Sequence, residues 1–351
     1  MSITSKLFFT LIIILIFSDS IAQSITSSFK AEIITNELIF NEAPFKQCHA
    51  SSLVELTDGR IMTVWFGGTY ERHSDVTIWG SVRDKNGWSK PEQIADGIIN
   101  DTLRYPCWNP VLFKSNKGEL FLFYKVGPSP DEWWGMFKKS IDDGETWSEP
   151  EKLTEGILGP IKNKPIYTSC GRIISPSSIE KGNVWNAHME ISDDDGTTWK
   201  KVVIDTTTGY KLIQPALLTM NDGTIIALMR SNQNYIIESR SKDEGITWSR
   251  PGKTNVMNPN SGIDAVTLSN GLHLLVHNPS GSGKEWFEGR NKLYLALSTN
   301  GDTWFDLLHL EENKSGEYSY PAIIQSSDGL VHITYTFNRI SIKYVIVRIR
   351  T

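Results

Sequence analysis

The side chains best suited to chemistry stand at the borders of short apolar runs, spread along the whole sequence. His49 and His73 exchange protons near neutral pH, and Asp75 and Tyr320 can each give or take one. Arg230 and Arg290 can fork onto a carboxylate. Lys125 and Lys164 add positive charge, while the amides of Gln214 and Asn109 bond a polar ligand without titrating. Together these residue types point to proton transfer on an anionic ligand. No Cys or His spacing resembles a metal site, and neither metal nor cofactor is expected.

The elements that must position these residues repeat. An apolar strand, a polar turn ending in Gly and a second apolar strand recur over 51–68, 110–127, 164–178, 215–231, 264–278 and 321–337. The turns include Asp-Gly, Lys-Gly and Asn-Gly, which are hairpin signals. After most hairpins comes a third strand and then an octapeptide, S-x-D-x-G-x-T-W. It is intact over Ser140–Trp147, Ser192–Trp199 and Ser241–Trp248, and weaker before Trp304 and Trp88. In each, the Asp should accept backbone N–H bonds, the Gly should supply a positive φ, and the Trp should pack back on the strand. A four-stranded antiparallel unit repeated at roughly 50-residue spacing predicts an all-β, six-bladed β-propeller. The sixth unit lacks its outer strand, so residues 31–40 are expected to close the last blade and remove an open edge.

Residues 1–22 read as a secretory signal: Lys6, an apolar run from Leu7 to Phe17, and the small-residue site Ser20-Ile21-Ala22. Residues 23–351 then form a single domain, expected to be exported to the periplasm or secreted, and monomeric. The net charge of −5 offers no basic surface for nucleic acid, and no second apolar stretch long enough to span a membrane follows. Of the three cysteines, Cys48 and Cys107 precede the inner strands of blades one and two and are expected near each other, leaving Cys170 free.

In a propeller the starts of the inner strands, the ends of the second and the starts of the third converge on one face. That face should collect His49, Asn109, Lys162 to Lys164, Gln214 and Tyr320, with Lys125, Arg230, His73 to Asp75, Trp185 and Arg290. Each alone reads as a residue satisfying its neighbours. As a set, Lys125, Arg230 and Arg290 with few opposing carboxylates call for an anionic ligand.

With the octapeptides and this ring in place, the chain resembles the sialidase-like superfamily of six-bladed propellers over essentially its whole mature length. The resemblance implies an arginine triad on a substrate carboxylate, an Asp acid/base and a Tyr nucleophile activated by a Glu. Asp75, Arg230, Arg290 and Tyr320 match that pattern. His49 stands where the first arginine is expected, and Gln214 where the activating Glu is expected.

Both departures weaken a glycosidase reading. Gln cannot take the proton of a Tyr, and two arginines hold a carboxylate less firmly than three. They suit β-elimination at a uronic acid, non-reducing terminal in the favoured form, by a lyase or oligosaccharide dehydratase. There Arg230, Arg290 and Gln214 hold the carboxylate, while His49, Tyr320 or His73 moves protons. The alternative is a sialidase-type exo-glycosidase releasing a terminal acidic sugar. A third reading is a sugar-binding propeller without chemistry. In every case the expected partner is an acidic oligosaccharide or polysaccharide.

Overall fold

The computed structural model describes residues 28–285 and 287–350; the expected leader over 1–22 lies outside them. Among the described residues, the strands build six antiparallel sheets arranged as the blades of a propeller, with one short extra hairpin, Ile98–Asn100 and Leu103–Arg104. The innermost strands are Gln47–Glu55, Cys107–Lys114, Ile166–Tyr167, Leu212–Thr219, Asp264–Thr267 and Tyr318–Gln325. Blade three departs from the expected pattern. Its inner strand is two residues long, because the preceding stretch Lys162–Lys164 leaves the ladder and turns to the axis.

Blade closure follows from the missing outer strand. Lys30–Leu38 pairs antiparallel with the C-terminal strand Ser341–Arg350, setting Lys30 opposite Arg350 and Leu38 opposite Lys343. The core lies between blades. Val64, Phe66 and Ile78 of blade one meet Leu112, Leu122 and Tyr124 of blade two. Leu274 and Leu295 of blade five meet Ile333, Tyr335 and Val345 of blade six. Each such side chain contributes about 1.5–3 kcal/mol on burial, so the ring is held by its blade contacts.

The octapeptides fold as their residue types require. In the first, Asp142 Oδ1 accepts from the Thr146 amide at 2.9 Å, Ser140 Oγ accepts from the Gly144 amide at 2.8 Å, and Gly144 has φ 89°. The acidic residue before each Gly does a second job. Asp143 accepts from the Thr57 amide and hydroxyl of blade one at 3.0 Å each, and Glu244 accepts from Ser169 of blade three at 2.6 Å. These boxes therefore tie blades two and four to the blades before them as well as closing their own turns.

The expected approach of Cys48 and Cys107 does not occur, and all three thiols are free. Cys48 packs with Trp65 and Tyr344 between blades six and one, whereas Cys107 packs with Val64 and Val76 between blades one and two. The body of blade one separates them. Burial pushes both thiols far above the usual range, which keeps them unreactive. Thiol titration of the native protein should therefore report the one exposed thiol, Cys170, and three after unfolding, with the same totals whether or not reductant was added first. Two extra thiols on reduction would contradict this placement.

Candidate functional site

The ring is built on a backbone irregularity shared by four blades. Each inner strand slips register near its start, between His49 and Ser52, beside Phe123 and Lys125 on the partner strand, between Ile213 and Ala216, and between Ser319 and Ala322. Within each slip one non-glycine residue is left-handed: Ala50 at φ 55°, Asn109 at 39°, Gln214 at 52° and Tyr320 at 51°. Such a residue costs on the order of 1–3 kcal/mol unless its surroundings enforce it. In three of the four a proline follows (Pro110, Pro215, Pro321), so the bulge leaves no amide donor unpaired there.

The groups that enforce the Gln214 and Tyr320 bulges come from blade three. Lys162, buried, donates its three ammonium protons to Asn163 Oδ1 at 2.9 Å, to the Ile263 carbonyl at 2.9 Å and to the Pro321 carbonyl. Asn163 Nδ2 in turn donates to the carbonyls of Gln214 and Pro215 at 3.1 and 2.9 Å. Burial brings the Lys162 ammonium down to about 7. Gly262 completes the seat: a Cβ there would stand 3.1 Å from Tyr320 Cγ and 3.2 Å from Lys162 Cε.

Around half-buried Tyr320 the functional groups converge. Arg230 Nη1 donates to Tyr320 Oη at 2.7 Å and to Gln214 Oε1 at 3.2 Å, while its Nε donates to Asn260 Oδ1 at 2.8 Å. The Arg290 guanidinium carbon lies 5.9 Å from the centre of the Tyr320 ring. Arg290 Nη1 donates to Glu317 at 3.2 Å. The His49 ring lies 4.2 Å from the Tyr320 ring, as the adjacency of blades six and one requires. His49 is only 2 % exposed, so it stands behind the phenol and away from solvent. Its Nδ1 meets Thr336 Oγ1 at 2.9 Å, and that oxygen already accepts from the Ala50 amide at 3.2 Å. Burial, then the positive charges of Arg339, Arg290, Arg230 and Lys162, hold His49 well below its ordinary value, so the imidazole is neutral.

Other residues expected at the ring have partners of their own. Lys125 is wholly buried and donates to the Pro160 carbonyl. Lys164 is paired with Asp264 at 2.9 Å and also donates to the Ala265 carbonyl. Both ammoniums are thus held by acceptors of the protein. His73 and Asp75 pair with each other at 2.7 Å on the blade-one loop. Although burial works the other way, the Thr69 hydroxyl and amide and His73 hold Asp75 below the usual carboxylate range. Asn109 is buried in its bulge.

The expectation of few opposing carboxylates is corrected. Glu317 accepts from Arg290, from Ser319 at 2.9 Å and from Arg339 Nε at 2.7 Å; Arg339 also reaches Glu71 at 2.7 Å. Glu180 is hydrogen-bonded by Gln214 and lies within reach of the Arg230 charge. It closes the second strand of blade three, the same kind of position that singled out Lys125 and Arg230, and carrying the blade-three hairpin past residue 178 would have found it. Glu317 stands three residues before Tyr320, a nearness the strand pattern alone did not weigh. Among the described residues, no three His, Cys, Asp or Glu side chains converge in a metal-ligating cluster.

Comparison with known proteins places this geometry. A family model described as BNR repeat-like domain matches residues 59–333. The anhydrosialidase of Macrobdella decora is 27 % identical over 228 residues, 56 % of this chain and 28 % of that one. The sialidase of Paraclostridium sordellii is 29 % identical over 210 residues, 49 % of this chain and 50 % of that one. The chain thus spans half or less of the length of these curated relatives. Among solved structures, a protein of unknown function from Dyadobacter fermentans superposes with a TM-score of 0.73 at 17 % identity, covering 91 % of this chain and 99 % of that one. The NanB sialidase of Streptococcus pneumoniae superposes at 0.69 and 15 %, covering 89 % of this chain and 70 % of that one; the likeness is one of fold.

A depressed histidine makes the fold acid-sensitive. Below about pH 6.5 the unfolded chain takes a proton that folded His49 refuses, so stability falls with falling pH by about 1.4 kcal/mol per unit. His332, lowered to about 4, acts in the same direction. In urea unfolding at pH 6.5 and pH 5, His49→Gln should lose about 2 kcal/mol less between the two conditions than the parent protein. An unchanged difference would mean that His49 is not held neutral.

Proposed function

The chain belongs to the BNR repeat-like domain family, within the sialidase-like superfamily of six-bladed propellers, and on that premise we propose that it is an enzyme acting on acidic carbohydrates. Arg230 and Arg290 bind a sugar carboxylate, and Tyr320 is the reacting group. The observation that carries this reading is the convergence at Tyr320: a guanidinium donating to the phenol oxygen at 2.7 Å, a second over the ring, and a backbone bent to present both. A donor already aimed at an oxygen where negative charge develops favours the phenolate, whether it then meets carbon or a proton.

The reaction we favour is β-elimination at a uronic acid. The two guanidiniums neutralise the C6 carboxylate and so acidify the proton on C5. Tyr320, as the phenolate that Arg230 stabilises, takes that proton; the C5–H electron pair becomes the C4–C5 double bond, the C4–O bond breaks with its pair on the leaving oxygen, and the proton now on Tyr320 passes to that oxygen, restoring the phenolate. Two features support this over hydrolysis. Position 214 is an amide already accepting from Arg230, which serves to hold a carboxylate-binding group. Asp75, the matching acid, is held below the usual range and makes a poor proton donor at neutral pH. His49, buried and neutral, is a wall that positions Tyr320.

The second reading, exo-glycoside hydrolysis of sialidase type, is favoured by the names of the curated relatives, an anhydrosialidase and sialidases. The products separate the two. Incubation with terminal-uronate and terminal-sialate oligosaccharides should give new ultraviolet absorbance from an unsaturated uronate; a free saturated sugar would establish the second reading. Arg230→Ala or Arg290→Ala should each cost about 2–4 kcal/mol in kcat/KM. Gln214→Glu should lower turnover by placing negative charge against Arg230 and the substrate carboxylate. A rise in turnover for that variant would identify the hydrolase.

A further inference from the structure

One carboxylate of the ring is not used by the reaction above. Glu180 is the last residue but one of the second strand of blade three, Ile173–Lys181, and stands opposite Trp185 in the ladder. Cross-strand partners share a sheet face, so the two side chains lean the same way. Trp185 lies with its ring centre 6.0 Å from the Arg230 guanidinium carbon. Glu180 feels the charge of the same guanidinium and is hydrogen-bonded by the Gln214 side chain, so it stands one residue away from Tyr320.

Its Oε1 is buried and, among the described residues, has no hydrogen-bond partner. Every other carboxylate placed at the ring is satisfied: Glu317 by Arg290, Arg339 and Ser319, and Glu71 by Arg339. An unpaired buried carboxyl oxygen is costly, and a donor arriving with a ligand removes that cost. Burial pushes Glu180 up against the opposing pull of the Arg230 charge and the Gln214 hydrogen bond, so one of its two oxygens is left to a ligand.

We propose that Glu180 and Trp185 form a hydroxyl-reading subsite of the ring, in which Glu180 Oε1 accepts from a hydroxyl of the acidic sugar whose carboxylate lies on Arg230 and Arg290. The inference rests on the carboxylate reading given above. Trp185 supplies an aromatic wall for the carbon face of the same sugar. The pair turns a general carboxylate clamp into one that distinguishes a polyhydroxylated ring from a plain organic acid. A site built to bond a hydroxyl discriminates strongly against ligands lacking it, because the buried acceptor is otherwise left unpaired.

Calorimetric titration tests this with four probes: D-glucuronate, D-galacturonate, N-acetylneuraminate, and cyclohexanecarboxylate, a carboxylated ring without hydroxyls. The parent protein should bind at least one of the sugars more tightly than cyclohexanecarboxylate. Glu180→Gln, nearly isosteric and expected to melt as the parent does, should weaken that sugar by about 10- to 100-fold, the range of a hydrogen bond to a charged group. It should leave cyclohexanecarboxylate unchanged or bound more tightly. Trp185→Ala should also weaken the sugar. Equal effects on sugar and cyclohexanecarboxylate, or none on either, overturn the subsite while leaving the carboxylate clamp standing. Arg290→Ala separates the two claims: it should abolish binding of all four probes. If it binds as the parent does, or if the parent binds none of them, the carboxylate reading itself fails.

Discussion

A single buried ammonium organises the centre of this propeller. Lys162 gives its three protons to acceptors from blades three, five and six, one of them the carbonyl that follows Tyr320. Removing an ammonium from water is costly, and three well-placed acceptors offset that cost only if all stay in position. The arrangement therefore works in both directions. The ammonium requires the bulge at Tyr320 and Pro321, and the bulge needs the ammonium to hold a left-handed phenol-bearing residue in place. Asn163, the next residue, does the same for Gln214 and Pro215. Two neighbouring side chains on a stretch outside the regular ladder thus set the positions of the phenol and the amide that Arg230 joins.

Upon that hub the ring is an electrostatic balance. Burial first, and then four cations, Arg339, Arg290, Arg230 and Lys162, lower the neighbouring imidazole of His49. Glu317 sits between Arg290 and Arg339 and, against the effect of burial, is held below its usual range by them. Arg339 thereby serves as a strut, linking the blade-six turn to Glu71 on the blade-one loop. Arg230 is different. Its named partners are neutral oxygens of Tyr320, Gln214 and Asn260, with Glu180 beside it as the nearby negative charge. Charge-assisted contacts to an incoming carboxylate are strongest where the guanidinium is held by neutral acceptors and shielded from water.

Much of this was legible in the sequence, and for physical reasons. A blade must bury both faces of a small sheet, so strand, turn and strand recur with apolar residues at fixed places, and the octapeptides mark the outer turns. The missing last strand announced the closure at Ser341–Arg350. The ring residues His49, Gln214, Arg230, Arg290 and Tyr320 were legible because they sit where strands begin or end. The left-handed backbone at Asn109, Gln214 and Tyr320 was not legible, because the proline after each favours extended backbone at the residue before it. What else was not legible came from partners brought together across blades. Lys162 and Lys164 are two residues apart with the same chemistry, yet one supports the Tyr320 bulge and the other pairs with Asp264. Glu180, Asn260 and Arg339 lie on a strand end and in turns whose aim depends on the neighbouring blade. The separation of Cys48 from Cys107 likewise depends on which side of blade one each faces.

The central claim is that Arg230 and Arg290 receive a sugar carboxylate above Tyr320. A crystal structure of the Tyr320→Phe variant soaked with a terminal-uronate oligosaccharide tests it most directly, since that variant should bind without turning over. The account requires the carboxylate oxygens to lie about 2.7–2.9 Å from both guanidiniums, with the sugar carbon bearing the carboxylate over the residue-320 ring. A sugar bound with its carboxylate away from Arg230 and Arg290, or seated outside the ring altogether, would contradict it.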